Sequence, residues 1–227
     1  MVNDSAATRF SRRSIFCIVA GLLVFAATTG LMRSGVVATT DTEAVEYFRN
    51  ADGELPRTKR AHLVQDTTAL GGWVFMTLLT IGIGTALANA GHRRSAKLLA
   101  IVMVGGVLLT YALKWGFDRD RPPYAAYITS KAFPSGHALM ATAFYLTLGS
   151  ILYRLTEKRR VRGLVICFSL ALPALVGFSR VYLGVHYPTD VVAGWALGVS
   201  WATLCGSLFG ERDGVTGANG AGRVLDS

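Results

Sequence analysis

Six stretches of this chain are apolar over close to the length a helix needs to cross a bilayer: about 14–32, 70–90, 96–113, 137–153, 163–179 and 188–209. Inside hydrocarbon every backbone polar group must be paired within the protein, and about 20 consecutive apolar residues fit a spanning helix. The composition agrees, at 52% hydrophobic and 16% charged residues with a positive mean hydropathy. The expected fold class is all-α, a polytopic membrane protein built as a six-transmembrane-helix bundle.

The first run follows Arg9, Arg12 and Arg13, as a signal peptide would. Its apolar core is longer than the roughly 7–15 residues of a signal sequence, so it reads as a retained anchor rather than a leader cleaved near Val36-Val37-Ala38. Gly and Ala recur in the runs, and Gly194-Trp-Ala-Leu-Gly198 has the spacing of a helix-packing face.

A net charge of +9 raises the question of nucleic acid, and the placement of the charges answers it. Arg93, Arg94 and Lys97 lie in one short connection and Arg154, Lys158, Arg159, Arg160 and Arg162 in another. With six spans, both connections and both termini fall on one side, which the positive-inside rule makes cytoplasmic. The basic balance is therefore topological, and a nucleic-acid role is not expected. Cys17, Cys167 and Cys205 sit within apolar runs, without metal-ligand spacing, and read as small buried residues.

The expected organisation is a cytoplasmic N-terminus at 1–13, a six-span domain at 14–210 and a flexible cytoplasmic tail at 211–227. The long loop at about 33–69 should be extracytoplasmic. Within it, DTEAVEYFRN suggests a short helix ending near Asp52-Gly53, His62 reads as solvated, and Asp66 or Thr67 is placed to cap the second span.

The remaining polar residues concentrate in three blocks that alternation of the spans brings to the same extracytoplasmic end. The first runs from Lys114 to Pro122. If the third helix continues that far, Lys114 and Arg121 project from one face and the Pro122-Pro123 pair stops the helix. The second block is Pro134-Ser135-Gly136-His137, directly before the fourth apolar run. The first amides of a helix have no intrahelical partner and carry the positive end of its dipole, so this start is suited to an anion. Gly136 permits close backbone approach, Ser135 adds a hydroxyl, and His137 is placed to give a proton. In the third block, Ser179-Arg180 precedes His186, Pro188 and Asp190. Pro188 suits the first turn of the last helix, which puts Asp190 in that turn, close enough to orient His186. Arg180 adds a planar fork matched to phosphate oxygens. Together these groups suit a compact dianion flanked by an attacking and a departing atom, because phosphoryl transfer is mostly positioning and charge stabilisation.

The patterns K-x6-R-P, P-S-G-H and S-R-x5-H-x3-D occur in that order, and in them the chain resembles the type 2 phosphatidic acid phosphatase / haloperoxidase superfamily. The motifs cover roughly 114–190. The resemblance implies a metal-independent phosphatase without a cofactor. In it His186 attacks phosphorus to give a phosphohistidine, Asp190 orients His186, and His137 protonates the leaving oxygen. Lys114, Arg121, Ser135, Gly136 and Arg180 would hold the phosphoryl oxygens. Vanadate-dependent haloperoxidases share the superfamily, but they resemble larger, soluble proteins. An interfacial site favours a phosphorylated lipid: undecaprenyl diphosphate, phosphatidic acid or phosphatidylglycerol phosphate. Tyr124, Tyr127 and Lys131 are placed either to meet its headgroup or to serve as an interfacial belt. The other reading is a non-catalytic membrane protein that binds or transports a phosphorylated lipid, which would need the cations but not the His186–Asp190 pair. The expected location is a bacterial cytoplasmic membrane, with the site facing the periplasm or exterior.

Overall fold

The structure, a computed structural model, describes residues 10–50, 52, 53, 55, 58–125 and 127–210; the tail expected at 211–227 lies outside these. The described residues form eight α-helices and one short 3-10 turn: α1 (Arg12–Ser34), α2 (Ala38–Glu46), α3 (Lys59–Ala69), α4 (Trp73–Asn89), α5 (Arg93–Phe117), the 3-10 turn Pro123–Ala125, α6 (Gly136–Leu155), α7 (Arg159–Tyr182) and α8 (Pro188–Phe209). Helices α1, α5, α6, α7 and α8 are each long and apolar enough to cross a membrane, and the bent pair α3–α4 supplies a sixth span if taken as one. The chain is an integral membrane protein with an all-helical bundle.

Helix α6 is the hub. Of its apolar window 61% is buried, against 11% for α1 and 17% for α7, and it packs along α5, α7 and α8. The close approach of α8 depends on Gly194 and Gly198. A Cβ at Gly194 would lie 2.6 Å from the Ser135 carbonyl oxygen, and one at Gly198 would lie 2.6 Å from Thr142 Cβ. The glycine pair is thus a packing face, and it sets the backbone of α8 directly against the start of α6. Indole N–H groups tie the same helix to its neighbours: Trp201 donates to the Val102 carbonyl of α5 at 2.9 Å, and Trp195 to the Pro173 carbonyl of α7 at 3.0 Å. Large apolar side chains such as Phe16, Leu23, Val74 and Phe168 point outward, as lipid-facing residues do.

Three local expectations are corrected. The second span does not begin at residue 70 behind an Asp66 or Thr67 cap: both residues lie inside α3, Thr58 caps that helix, and Gly72 in an extended conformation starts α4. The Gly71-Gly72 pair breaks the chain there and bends α3 from α4 by 48°. His62 is solvated as expected but sits on α3 rather than in a loop. The short helix of the first loop ends at Glu46, before Asp52-Gly53.

Candidate active site

The C-terminal ends of α5 and α7 and the N-terminal ends of α6 and α8 meet at one end of the bundle around a cavity of about 240 Å³. Lys114, Arg121, Gly136, His137, Arg180 and His186 all line it. The three blocks read from the sequence therefore converge.

The helical face expected to carry both Lys114 and Arg121 does not form. Helix α5 stops at Phe117 because Asp118 adopts a left-handed conformation (φ 45°), and the chain then turns. Arg121 reaches the cavity from the following loop, pinned by Ser130: its Nε donates to the Ser130 carbonyl at 2.6 Å and its Nη2 to the Ser130 hydroxyl at 2.9 Å. Lys114 donates from the last turn of α5 to the Lys131 carbonyl. Lys131 itself pairs with Asp118 and Asp120 at 2.8 and 2.9 Å, and Arg49 stacks on Tyr124. Tyr124, Tyr127 and Lys131 are not among the residues lining the cavity.

Ser135 is the N-cap of α6, with Gly136 as its first helical residue. The Ser135 hydroxyl caps nothing: it is buried with no hydrogen-bond partner. Arg180 lies in the last turn of α7, 8% exposed; one terminal nitrogen donates to the Thr68 hydroxyl at 2.9 Å, while its Nε is buried without a partner. An unpaired buried donor costs on the order of 1–3 kcal/mol, so two beside one cationic cavity are groups that the described residues leave unmatched there.

His186 lies between α7 and α8, with 2% of its surface exposed. Its Nδ1 is 3.3 Å from Asp190 Oδ2 and its Nε2 is 3.1 Å from Arg121 Nη1. A guanidinium only donates, so with Nδ1–H given to Asp190 the Nε2 lone pair faces Arg121. This is the tautomer a nucleophilic Nε2 requires. Burial, and then the charges of Arg121, Arg180 and Lys114, hold the imidazole pKa well below its ordinary value, which keeps the ring neutral. Pro188 occupies the first turn of α8, and Asp190 Oδ2 also accepts the Tyr187 N–H at 2.9 Å, closing that turn.

Two participants were missed by sequence reasoning. Arg119 Nη1 donates to Asp190 Oδ1 at 2.6 Å, and its Nη2 donates to Asp41 Oδ2 at 2.7 Å. Burial disfavours the Arg119 charge, but Asp190 and Asp41 outweigh it and raise its pKa. Arg119 stands at a variable position of the first motif, and Asp41 reads in sequence as one more acid of a polar loop; pairing across 78 residues leaves no local signal. Among the described residues no group of three or more His, Cys, Asp or Glu side chains could hold a metal ion.

The fold and the site together define a polytopic membrane protein with a cavity at one end of its bundle that is lined by Lys114, Arg121, Arg180, His137 and His186. The chain belongs to the PAP2 superfamily, whose family model matches residues 95–213. It is 33% identical over 135 residues to phosphatidylglycerophosphatase B of Bacillus subtilis, a match covering 58% of this chain and 66% of the relative. It is 42% identical over 76 residues to an undecaprenyl-diphosphatase of Sulfolobus acidocaldarius, covering 34% of this chain and 32% of that one. In these two matches the chain spans just under two thirds and about one third of the relative's length. A solved structure, described as the first transmembrane PAP2 type phosphatidylglycerolphosphate phosphatase from Bacillus subtilis, is similar with a TM-score of 0.74 and 26% identity; the match covers 84% of this chain and 94% of that one.

Proposed function

We propose that this protein is a lipid phosphatase that removes phosphate from a monoester or diphosphate of a membrane lipid through a phosphohistidine on His186. The observation that carries the reading is the His186 geometry: a buried, neutral imidazole whose lone pair faces the cationic cavity while its N–H is held by a carboxylate. A site that only bound phosphate would need the cations but not that arrangement. Relatives named as a phosphatidylglycerophosphatase and an undecaprenyl-diphosphatase support the substrate class.

A bound phosphoryl group would take donors from Lys114, Arg121 and Arg180, from the Ser135 hydroxyl and from the first amides of α6. Drawn onto a phosphoryl oxygen, Arg121 releases the Nε2 lone pair. Nε2 then attacks phosphorus, the bond to the leaving oxygen breaks with its electron pair on that oxygen, and His137, protonated in the complex with the dianionic phosphoryl group, supplies the proton. The positive charge that develops on His186 is met by Asp190 through Nδ1–H. Neutral His137 next takes a proton from water, the resulting hydroxide attacks phosphorus, and the P–N bond breaks to return Nε2 and release phosphate.

The bundle's opposite end carries Arg93, Arg94 and the stretch from Arg154 to Arg162, and Arg94 donates there to the last carbonyl of α8 at 3.4 Å. The positive-inside rule then puts the cavity on the extracytoplasmic face, with a bacterial cytoplasmic membrane as the proposed location. A cavity at the ends of the spanning helices would take a phosphate headgroup while the hydrocarbon chains stay in lipid.

The test is phosphate release by detergent-purified protein, with chelator present, from undecaprenyl diphosphate, phosphatidic acid, phosphatidylglycerol phosphate and a water-soluble ester, beside His186→Ala. Release from a lipid that disappears in the variant is expected. Folded protein that binds such a lipid but releases nothing contradicts the reading in favour of binding or transport.

A further inference from the structure

The carboxylate that orients His186 is one corner of a closed ring. Arg119 bridges Asp190 to Asp41, and the same Arg119 Nη1 that meets Asp190 also donates to the Thr189 hydroxyl at 2.7 Å. Asp41 returns to the neighbouring residue twice: its Oδ1 accepts the Thr189 amide at 3.1 Å, and its Oδ2 accepts the Thr189 hydroxyl at 2.5 Å. The Tyr187 ring covers the Arg119 guanidinium at 4.3 Å. Asp41 belongs to α2, a helix of nine residues that follows the first span in sequence, yet it is 2% exposed.

We propose that Asp41 and Arg119 are positioning residues for phosphoryl transfer, through which α2 fixes the Asp190 carboxylate and keeps Arg119 from neutralising it. The inference rests on the phosphatase reading above.

Two physical arguments support it. The first is charge. A buried Arg that faced Asp190 alone would form a neutral pair, leaving little to stabilise the positive charge that His186 acquires as it attacks. With Asp41 present, two carboxylates share one guanidinium, and the Asp41–Arg119–Asp190 cluster keeps one net negative charge on the Nδ1 side of the imidazole. The second is geometry. The Thr189 amide belongs to the first turn of α8, where the helix offers it no partner, so Asp41 caps α8 from another helix. The turn that carries Asp190 is held at Thr189 and at Asp190 itself. A merely structural ion pair would affect melting temperature; a positioning pair acts on kcat, because neither residue lines the phosphoryl cavity.

The experiment measures kcat and KM for a lipid phosphate in mixed micelles with wild type, Asp41→Asn, Asp41→Glu, Arg119→Ala and the Asp41→Asn/Arg119→Ala double variant. Asp41→Asn is expected to lower kcat about tenfold or more with KM within about threefold, and Asp41→Glu to recover part of the loss. In the Arg119→Ala background, Asp41→Asn should cost less than it does in wild type, since the part of its effect that runs through Arg119 is already lost and only the direct hold on Thr189 remains. Wild-type kcat in Asp41→Asn, an effect on KM alone, or independent additive losses each overturn the inference. If Asp41→Asn does not fold, Thr189→Val takes its place by removing the hydroxyl link: a several-fold fall in kcat at unchanged KM supports the bridge, and wild-type kcat overturns it. Folded wild type that releases no phosphate overturns the phosphatase reading and this inference with it, whereas an active enzyme indifferent to these substitutions overturns the inference alone.

Discussion

Asp190→Asn changes no volume and a single charge, yet every partner of the carboxylate is a donor. Oδ1 accepts from Arg119 at 2.6 Å, while Oδ2 faces His186 Nδ1 at 3.3 Å and accepts the Tyr187 amide at 2.9 Å. An asparagine must aim its NH₂ at one of these two sets. Aimed at Arg119, it puts donor against donor and leaves the guanidinium unmatched. Aimed at His186, it forces Nδ1 to become the acceptor, which moves the ring proton to Nε2. That proton then sits where the attacking lone pair belongs and faces the Arg121 N–H at 3.1 Å. Either orientation removes the charge that meets the developing imidazolium. An inverted tautomer in a carboxylate–histidine pair costs about 10⁴ in turnover in the serine-protease case, so the loss here should be about 10³–10⁴, or roughly 4–5.5 kcal/mol of barrier. Single-turnover rapid-quench phosphate release, with melting temperature recorded in the same detergent, measures it. A loss of tenfold or less in a protein that melts like wild type would refute the tautomer argument.

Arg180→Ala removes the donor whose buried Nε has no partner, and should lower kcat/KM about 10²–10³-fold in steady-state phosphate release; a change of only a few-fold would make Arg180 peripheral. Gly194→Ala puts a Cβ 2.6 Å from the Ser135 carbonyl and 3.0 Å from Ala138 Cβ, so α8 must move off α6 at a cost of about 1–3 kcal/mol, read as a lower melting temperature together with lower activity. An unchanged melting temperature would show that the helix pair has slack. The His186 pKa lies well below the roughly 6.5 of an unfolded imidazole, so between those values the unfolded chain holds a proton that the folded protein does not. Stability from this group is therefore present above about pH 6.5 and declines as pH falls below it. His186→Gln should flatten part of the fall in melting temperature between about pH 7 and pH 5, and an identical fall in the variant would contradict the burial argument.

What the sequence made legible follows from how local each signal is. Apolar run length is set by bilayer thickness, so the spans could be read directly. The starts of α6 and α8 were equally readable, because Ser135-Gly136 stands directly before its apolar run and Pro188 presets the first turn of its own helix. The C-terminal end of α5 was not, since continuation through Arg121 and termination at a left-handed Asp118 satisfy the same residue pattern. Nor was the α3–α4 break: Gly71-Gly72 permits a bend, but its partners are distant, with Val176 packed against Gly71 and Tyr145 donating to the Leu70 carbonyl at 3.0 Å. The Asp41–Arg119 bridge was hidden for the same reason. Its two ends become neighbours only when α2 folds back onto the start of α8, and nothing near either residue marks it.

Turnover by the proposed mechanism passes through a covalent bond between phosphorus and His186 Nε2. Rapid acid-free quenching of wild type during turnover of a lipid phosphate, followed by peptide mass spectrometry, tests for it directly. The expected result is a phosphoryl group on His186 that forms and decays at rates compatible with turnover and is absent from His186→Ala. Sustained phosphate release with no phosphorylated His186, undiminished in His186→Ala, would contradict the mechanism at its centre.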